Sequence, residues 1–241
     1  MSRYLVLLLS LIASVVQAEV WRVAGDTQFA PYSFVTEDDD IPRGLDVELV
    51  QAVLNEARVG YHIRLYPWQR VKRMLHTGQV RMAFPFAGTP DRQAEYDLVG
   101  PLRSGMTVFM VRNDFPLRDW KQLDDLQPYI IGQVQGYAYE ERFDLHELNR
   151  DTSSVTPRQL VSMLLAGRVD VIIGDRIQLL HFAQEKQVQD QVRLLRKPLI
   201  EMPRFVAFRK GDLAHAREFS EALVRLRKRG ELERIIERWD H

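Results

Sequence analysis

Val169-Asp170-Val171-Ile172-Ile173-Gly174-Asp175 is a short, mostly β-branched run that stops at a glycine and an acid. A run of this length and composition reads as a strand of the buried type. Just upstream, Thr156-Pro157 has the form of an N-cap followed by proline at the first helical position. Leu160, Met163 and Leu164 then share a face, and Gly167 ends the helix. A helix that feeds directly into a buried strand is the grammar of an α/β fold.

The same alternation extends in both directions. Toward the N-terminus, Val20 to Ala24 reads as a strand, and Arg43-Gly44-Leu45-Asp46 opens a helix with Asp46 as its expected N-cap. Leu49, Val50, Val53, Leu54 and Ala57 form that helix's apolar face. Tyr61 to Tyr66 is a second strand, Trp68 to His76 a helix stopped by Gly78, and Arg81 to Phe86 and Met106 to Arg112 are further strands. Tyr129 to Gly132 is a strand that leads into a loop at Gln133–Tyr137. Toward the C-terminus come a helix over Ile177–Gln184, strands at Val192–Leu195 and Phe205–Phe208, and two basic amphipathic helices over Leu213–Lys228 and Glu231–Trp239.

Two extended stretches, Leu102–Gly105 and Glu201–Arg204, are candidate crossings between lobes. Crossing there gives a first lobe from residues 19–103 and 203–241 and a second from 104–202. A cleft between two such lobes is a natural place for a ligand.

Residues 1–18 read as a secretory signal peptide. Arg3 precedes an apolar run from Tyr4 to Val16, and Val16-Gln17-Ala18 offers small residues for cleavage after Ala18. The run is shorter than the ~20 apolar residues of a membrane span. A mature protein in the periplasm follows as the expectation.

The chain carries 33 basic and 33 acidic residues. Such a balance gives no global field to attract nucleic acid. The absence of cysteine excludes disulfides, thiol nucleophiles, cysteine zinc sites and a lipid-modified N-terminal cysteine. Six histidines show no pair at metal-ligand spacing, and Arg150 stands where a zincin helix starting at His146-Glu147 needs its second histidine. There is no phosphate-cradling loop and no Gly-x-Ser-x-Gly elbow. Asp38-Asp39-Asp40 reads as a solvated turn, and the cluster Arg225, Arg227, Lys228 and Arg229 as a solvated helix face. No cofactor, no metal and no catalytic constellation are expected.

Four motifs occur in order: Asp26-Thr-Gln-Phe29-Ala-Pro31-Tyr-Ser-Phe34, Gly44-Leu-Asp46-Val-Glu48-Leu49, Thr89-Pro-Asp-Arg92, and Gly167-Arg-Val-Asp170-Val-Ile-Ile-Gly-Asp175. Together they resemble the bacterial solute-binding proteins of polar amino acid ABC importers, the glutamine- and histidine-binding type. The resemblance covers nearly all of the chain after residue 18. It implies the type II periplasmic-binding-protein fold, two α/β lobes that close around a solute like a hinged clamp. It also implies a monomer that hands an amino acid or related carboxylate to a membrane ABC permease.

Carried over residue by residue, the resemblance places Arg92 on the ligand's α-carboxylate, where a guanidinium gives a bidentate fork. Asp175 takes the α-amino group, at the carboxyl end of a strand where open sheets bind ligands. Phe29 and Trp68 are aromatic walls, and Asp26 lies beside the cleft. The plainer alternatives are a surface ion pair of Arg92 with Asp91 or Glu95, an N-cap role for Asp175, and core packing for Trp68. The sequence departs from the family at Pro85, which lacks an N–H, and at Ala87, which lacks the usual hydroxyl of the carboxylate cradle. Gly136 remains in the altered middle loop, and Arg70 is either a second cleft arginine or a solvated helix charge. These departures weaken the expectation of an ordinary α-amino acid and admit a ligand with an extra carboxylate or an organic acid without the amine. Two other readings stay open: a dehydratase-like enzyme using Asp26, Glu48 or Asp175 as acid or base, and a solute sensor serving a membrane kinase.

Overall fold

The computed structural model describes residues 19–36 and 38–239, so the expected signal peptide lies outside the described residues. The first part of the chain forms β1 (Val20–Asp26), the short pair β2 (Gln28–Phe29) and β3 (Ser33–Phe34), then α1 (Leu45–Ala57) and β4 (Gly60–Tyr66). It continues as α2 (Trp68–His76), β5 (Met82–Ala87), α3 (Pro90–Glu95) and the long β6 (Tyr96–Arg112). The middle holds β7 (Ile131–Val134), α4 (Glu141–Leu145), β8 (Arg150–Ser154), α5 (Pro157–Leu165), β9 (Val171–Asp175), α6 (Arg176–Glu185) and β10 (Val192–Leu194). The chain closes with β11 (Ile200–Arg209), α7 (Leu213–Lys228) and α8 (Glu231–Trp239).

The strands join in the order β4-β1-β5-β11-β6-β9-β7-β8, with β10 also on β6. β4, β1 and β5 are mutually parallel, as are β9, β7 and β8. Parallel neighbours need crossover connections, which the segments carrying α1, α2, α4 and α5 supply. Between the two parallel groups stand β6 and β11, antiparallel to each other and long enough to serve both. Both proposed crossing stretches lie inside these strands rather than in loops.

Alternation within each strand divides the core by face, as a pleat requires. Val23 and Met82 pack with α1 and α7, whereas their neighbours Ala24 and Ala83 pack with α2. In the other half, Val108, Met110 and Ile172 face α5 and α6, and Phe109, Val111, Val171 and Ile173 face Trp120 and Phe143. Both faces of the sheet are therefore buried, which explains why Val169–Asp175 reads as a continuous apolar run. Tyr137 alone among the partly buried side chains packs against all four of these clusters.

Several local expectations are revised. Asp46 does not cap α1. Gly44 holds that position at φ 119°, where an added Cβ would lie 2.3 Å from the Tyr32 carbonyl oxygen. Asp46 instead sits inside the first turn, fully buried, and pairs with Arg103 through bonds of 2.5 and 3.0 Å. The strand expected from Met106 begins ten residues earlier, at Tyr96, because β11 pairs with it from Tyr96 to Thr107. The C-terminal arginines are not simply solvated: Arg225 and Arg229 both grip Glu56 of α1. The turn at Asp39 is held by Arg43. Short elements such as α3, α4 and β8 carry too little periodicity to be read from sequence.

Candidate functional site

The carboxyl ends of β1, β5 and β9 converge with β11 on one buried cavity. Asp26, Phe29, Trp68, Ala87, Arg92 and Asp175 line it, together with Pro85, Tyr137, Ala138, Tyr139, Gln178 and Arg204. Its volume is about 40 Å³, space for a water or two and not for an amino acid. A groove of about 740 Å³ opens beside it and shares Arg92, Tyr137 and Ala138.

Each wall has a local cause. α3 starts with Thr89 and Pro90, and its first turns carry Arg92 over the faces of Trp68 and Phe86, with Cζ 5.6 and 5.4 Å from the ring centroids. Arg92 donates to the Gly136 carbonyl at 3.3 Å and forms no ion pair among the described residues. Burial lowers its pKa, so a bound carboxylate would restore a counter-charge. Trp68, at the start of α2, donates from Nε1 to the same Gly136 carbonyl at 3.1 Å while its ring packs edge-on to Phe86. It serves as core and as cavity wall at once. Gly136 has φ 76°, and a Cβ there would fall 2.0 Å from Gln69 Nε2. Gln69 could swing aside, but the positive φ strains any other residue, so glycine suits this turn beside α2.

Asp175 ends β9 and caps α6, its Oδ1 accepting from the backbone N–H of Ile177 at 3.0 Å and of Gln178 at 3.3 Å. The same oxygen accepts from the Tyr32 hydroxyl at 2.8 Å. Oδ2 is buried and has no partner among the described residues. It fits only because residue 105 is glycine, since a Cβ there would lie 2.3 Å from Oδ2. The N-cap reading and the site reading thus use different oxygens of one carboxylate.

Asp26 is 2 % exposed. It accepts from the Gln28 N–H at 3.0 Å and from the Tyr137 hydroxyl at 2.7 Å. Desolvation outweighs both bonds and raises its pKa to about 6. Phe29 is buried between Tyr32 and Tyr137, with centroids 5.4 and 5.9 Å away. Ala87 lines the cavity beside Pro85, so no hydroxyl enters there. Gly136, expected at the site, lines neither the cavity nor the groove; its carbonyl instead accepts from the Trp68 and Arg92 side chains and holds them in place. Arg70 also falls outside: its guanidinium lies 4.6 Å over the ring of Tyr66, on the exposed side of α2, and it lines neither the cavity nor the groove.

Sequence reasoning passed over four contributors. Tyr32 and Tyr137 stood inside quoted stretches but gave no signal beyond being aromatic. Gln178 looked like an ordinary helix residue. Arg204 had the clearest available signal, a single charge inside the apolar segment Met202-Pro203-Arg204-Phe205-Val206.

A family model described as "Bacterial extracellular solute-binding proteins, family 3" matches residues 21–241. An amino-acid-binding protein, AabA, from Dichelobacter nodosus is 23% identical over 231 residues, covering 92% of this chain and 88% of its own. A histidine kinase sensor domain similar to periplasmic binding proteins superposes with a TM-score of 0.81 at 22% identity, covering 91% of this chain and 95% of its own. The substrate-binding protein of an amino acid ABC transporter gives 0.78 at 21% identity, covering 92% and 99%. These structures share the two-lobed α/β fold that the sequence led us to expect.

Proposed function

Because the chain belongs to the bacterial extracellular solute-binding proteins, family 3, we propose that it binds an amino acid in the cavity at the carboxyl ends of β1, β5 and β9. The family is one of binding proteins rather than enzymes. In our reading the chain is exported, loses residues 1–18, and presents its solute to an ABC permease. Residues 19–103 with 203–241 form one lobe and 104–202 the other, and β6 and β11 carry the hinge.

One observation carries the proposal: an Arg92 guanidinium without a counter-ion among the described residues and the unpartnered Asp175 Oδ2 face one aromatic-walled cavity. Those two charges complement the α-carboxylate and α-ammonium of an amino acid. AabA and the ABC-transporter protein, whose names specify amino acids, are similar along most of their length. The cavity of about 40 Å³ is too small for such a solute, so binding requires the lobes to part and Tyr137 to leave Asp26. Lobe opening of that kind is the ordinary motion of a hinged clamp.

The test is calorimetric titration of residues 19–241 with the common L-amino acids, followed by Arg92→Ala. Binding by the parent protein and at least a hundredfold weaker binding by the variant, with an unchanged circular dichroism spectrum, is the expected result. Equal affinity in the two proteins would remove Arg92 from the site.

A further inference from the structure

Arg204 carries a charge at the cavity that the site described above does not use. It lies in β11 opposite Ala87 of β5 and Arg103 of β6. The pairing with β6 is irregular between Arg204 and Val206, and such bulges re-aim side chains toward sites. Its guanidinium sits 5.6 Å over the ring of Phe29 and lines the cavity. Nε is buried with no hydrogen-bond partner, and Arg204 makes no side-chain hydrogen bond or ion pair among the described residues.

The neighbouring charges do not satisfy it. Asp46 is consumed by both of its bonds to Arg103. Asp26 is engaged by Gln28 and Tyr137. Asp175 Oδ1 serves the α6 N-terminus and Tyr32, and Oδ2 is beyond bonding distance of Arg204. On the same cavity, Gln178 Nε2 is a second enclosed donor without a partner, in a residue 1 % exposed. Buried polar groups normally find partners, and the enclosed Nε of Arg204 and Nε2 of Gln178 have none.

We propose that Arg204, with Gln178, binds a second carboxylate of the ligand, making the protein selective for α-amino dicarboxylates over their neutral and cationic counterparts. This rests on the amino-acid site proposed above. The chemistry balances: Arg92 and Arg204 take two carboxylates, and Asp175 Oδ2 takes one ammonium. The missing hydroxyl at Ala87 is consistent with a site that relies on guanidinium charge rather than on a neutral cradle.

The experiment is titration of residues 19–241 with L-glutamate and L-aspartate, their amides L-glutamine and L-asparagine, and L-arginine and L-histidine. An acid should bind about tenfold to a hundredfold more tightly than its amide, as expected for one charge-assisted pair. Arg204→Met should erase that ratio, and Arg204→Lys should keep part of it. The melting temperature of ligand-free Arg204→Met should rise by about 2–4 °C, because a partly buried charge with an unpartnered Nε is removed. A residue with a purely structural role would lower it. If the amide or a cationic amino acid binds as well as the acid, Arg204 selectivity is overturned and the amino-acid function stands. Retention of the acid preference in Arg204→Met overturns the role of Arg204. Failure of every amino acid to bind overturns the proposed function and this inference with it.

Discussion

The Tyr137 hydroxyl donates to Asp26 Oδ2 at 2.7 Å, joining the loop after β7 to the end of β1 across the cavity. The residues are 111 positions apart, and the bond has a reciprocal, because Tyr32 beside β3 donates to Asp175 at the end of β9. Trp68 and Gln69 of α2 add bonds to the carbonyls of Gly136 and Gln135. The cleft is thus closed by side chains of each half reaching into the other.

Tyr137→Phe should loosen this closure. The ring would keep its packing against Phe29 and Trp68, but Asp26 would lose its side-chain donor. A hydrogen bond to a charged group contributes about 1.5–3 kcal/mol. We expect the ligand-free variant to populate a more open form, seen as a larger radius of gyration in small-angle X-ray scattering. An unchanged radius would mean that apolar packing alone holds the lobes together.

Closure should also depend on pH through Asp26. Burial raises its pKa from the ordinary carboxylate value to about 6, so the closed form binds a proton that the open or unfolded form releases. Its stabilisation is full below about pH 4 and is lost as pH rises through about 6. That raised pKa favours closure at the acid end by on the order of 3 kcal/mol. Scattering at pH 4.5 and 7.5 should show expansion at the higher pH, and Asp26→Asn should flatten that difference. An equal response in the variant would assign the effect to other groups.

Asp175→Asn separates the two duties of that side chain. Asparagine is as good an N-cap as aspartate, and its oxygen can keep the bonds to Ile177, Gln178 and Tyr32. The amide nitrogen would replace Oδ2 and face the ligand's ammonium with a donor. Stability should change by less than about 1 kcal/mol while amino-acid affinity falls at least about tenfold. A variant that binds normally would make the residue a cap and nothing more.

How far the sequence reaches is clear from individual residues. Val169–Asp175, Thr156-Pro157 and Gly167 determined the α/β pattern, because apolar runs, proline at N1 and glycine stops act locally on the backbone. The extents of α2, α7 and α8 follow from the same periodicity. Family motifs pointed to Arg92 and Asp175, and the fold brings both to one cavity. Other features depend on partners distant in the chain. Asp46 looked like a cap until Arg103, 57 residues away, took both its oxygens. Arg70 and Arg204 are both single arginines near motifs, yet one stacks on Tyr66 outside and the other enters the cavity. Tyr137 is an ordinary loop aromatic in the sequence and the centre of closure in the molecule. Local periodicity sets the elements, but which charge is paired, buried or left free is decided by long-range packing and desolvation, and only the folded chain brings those together.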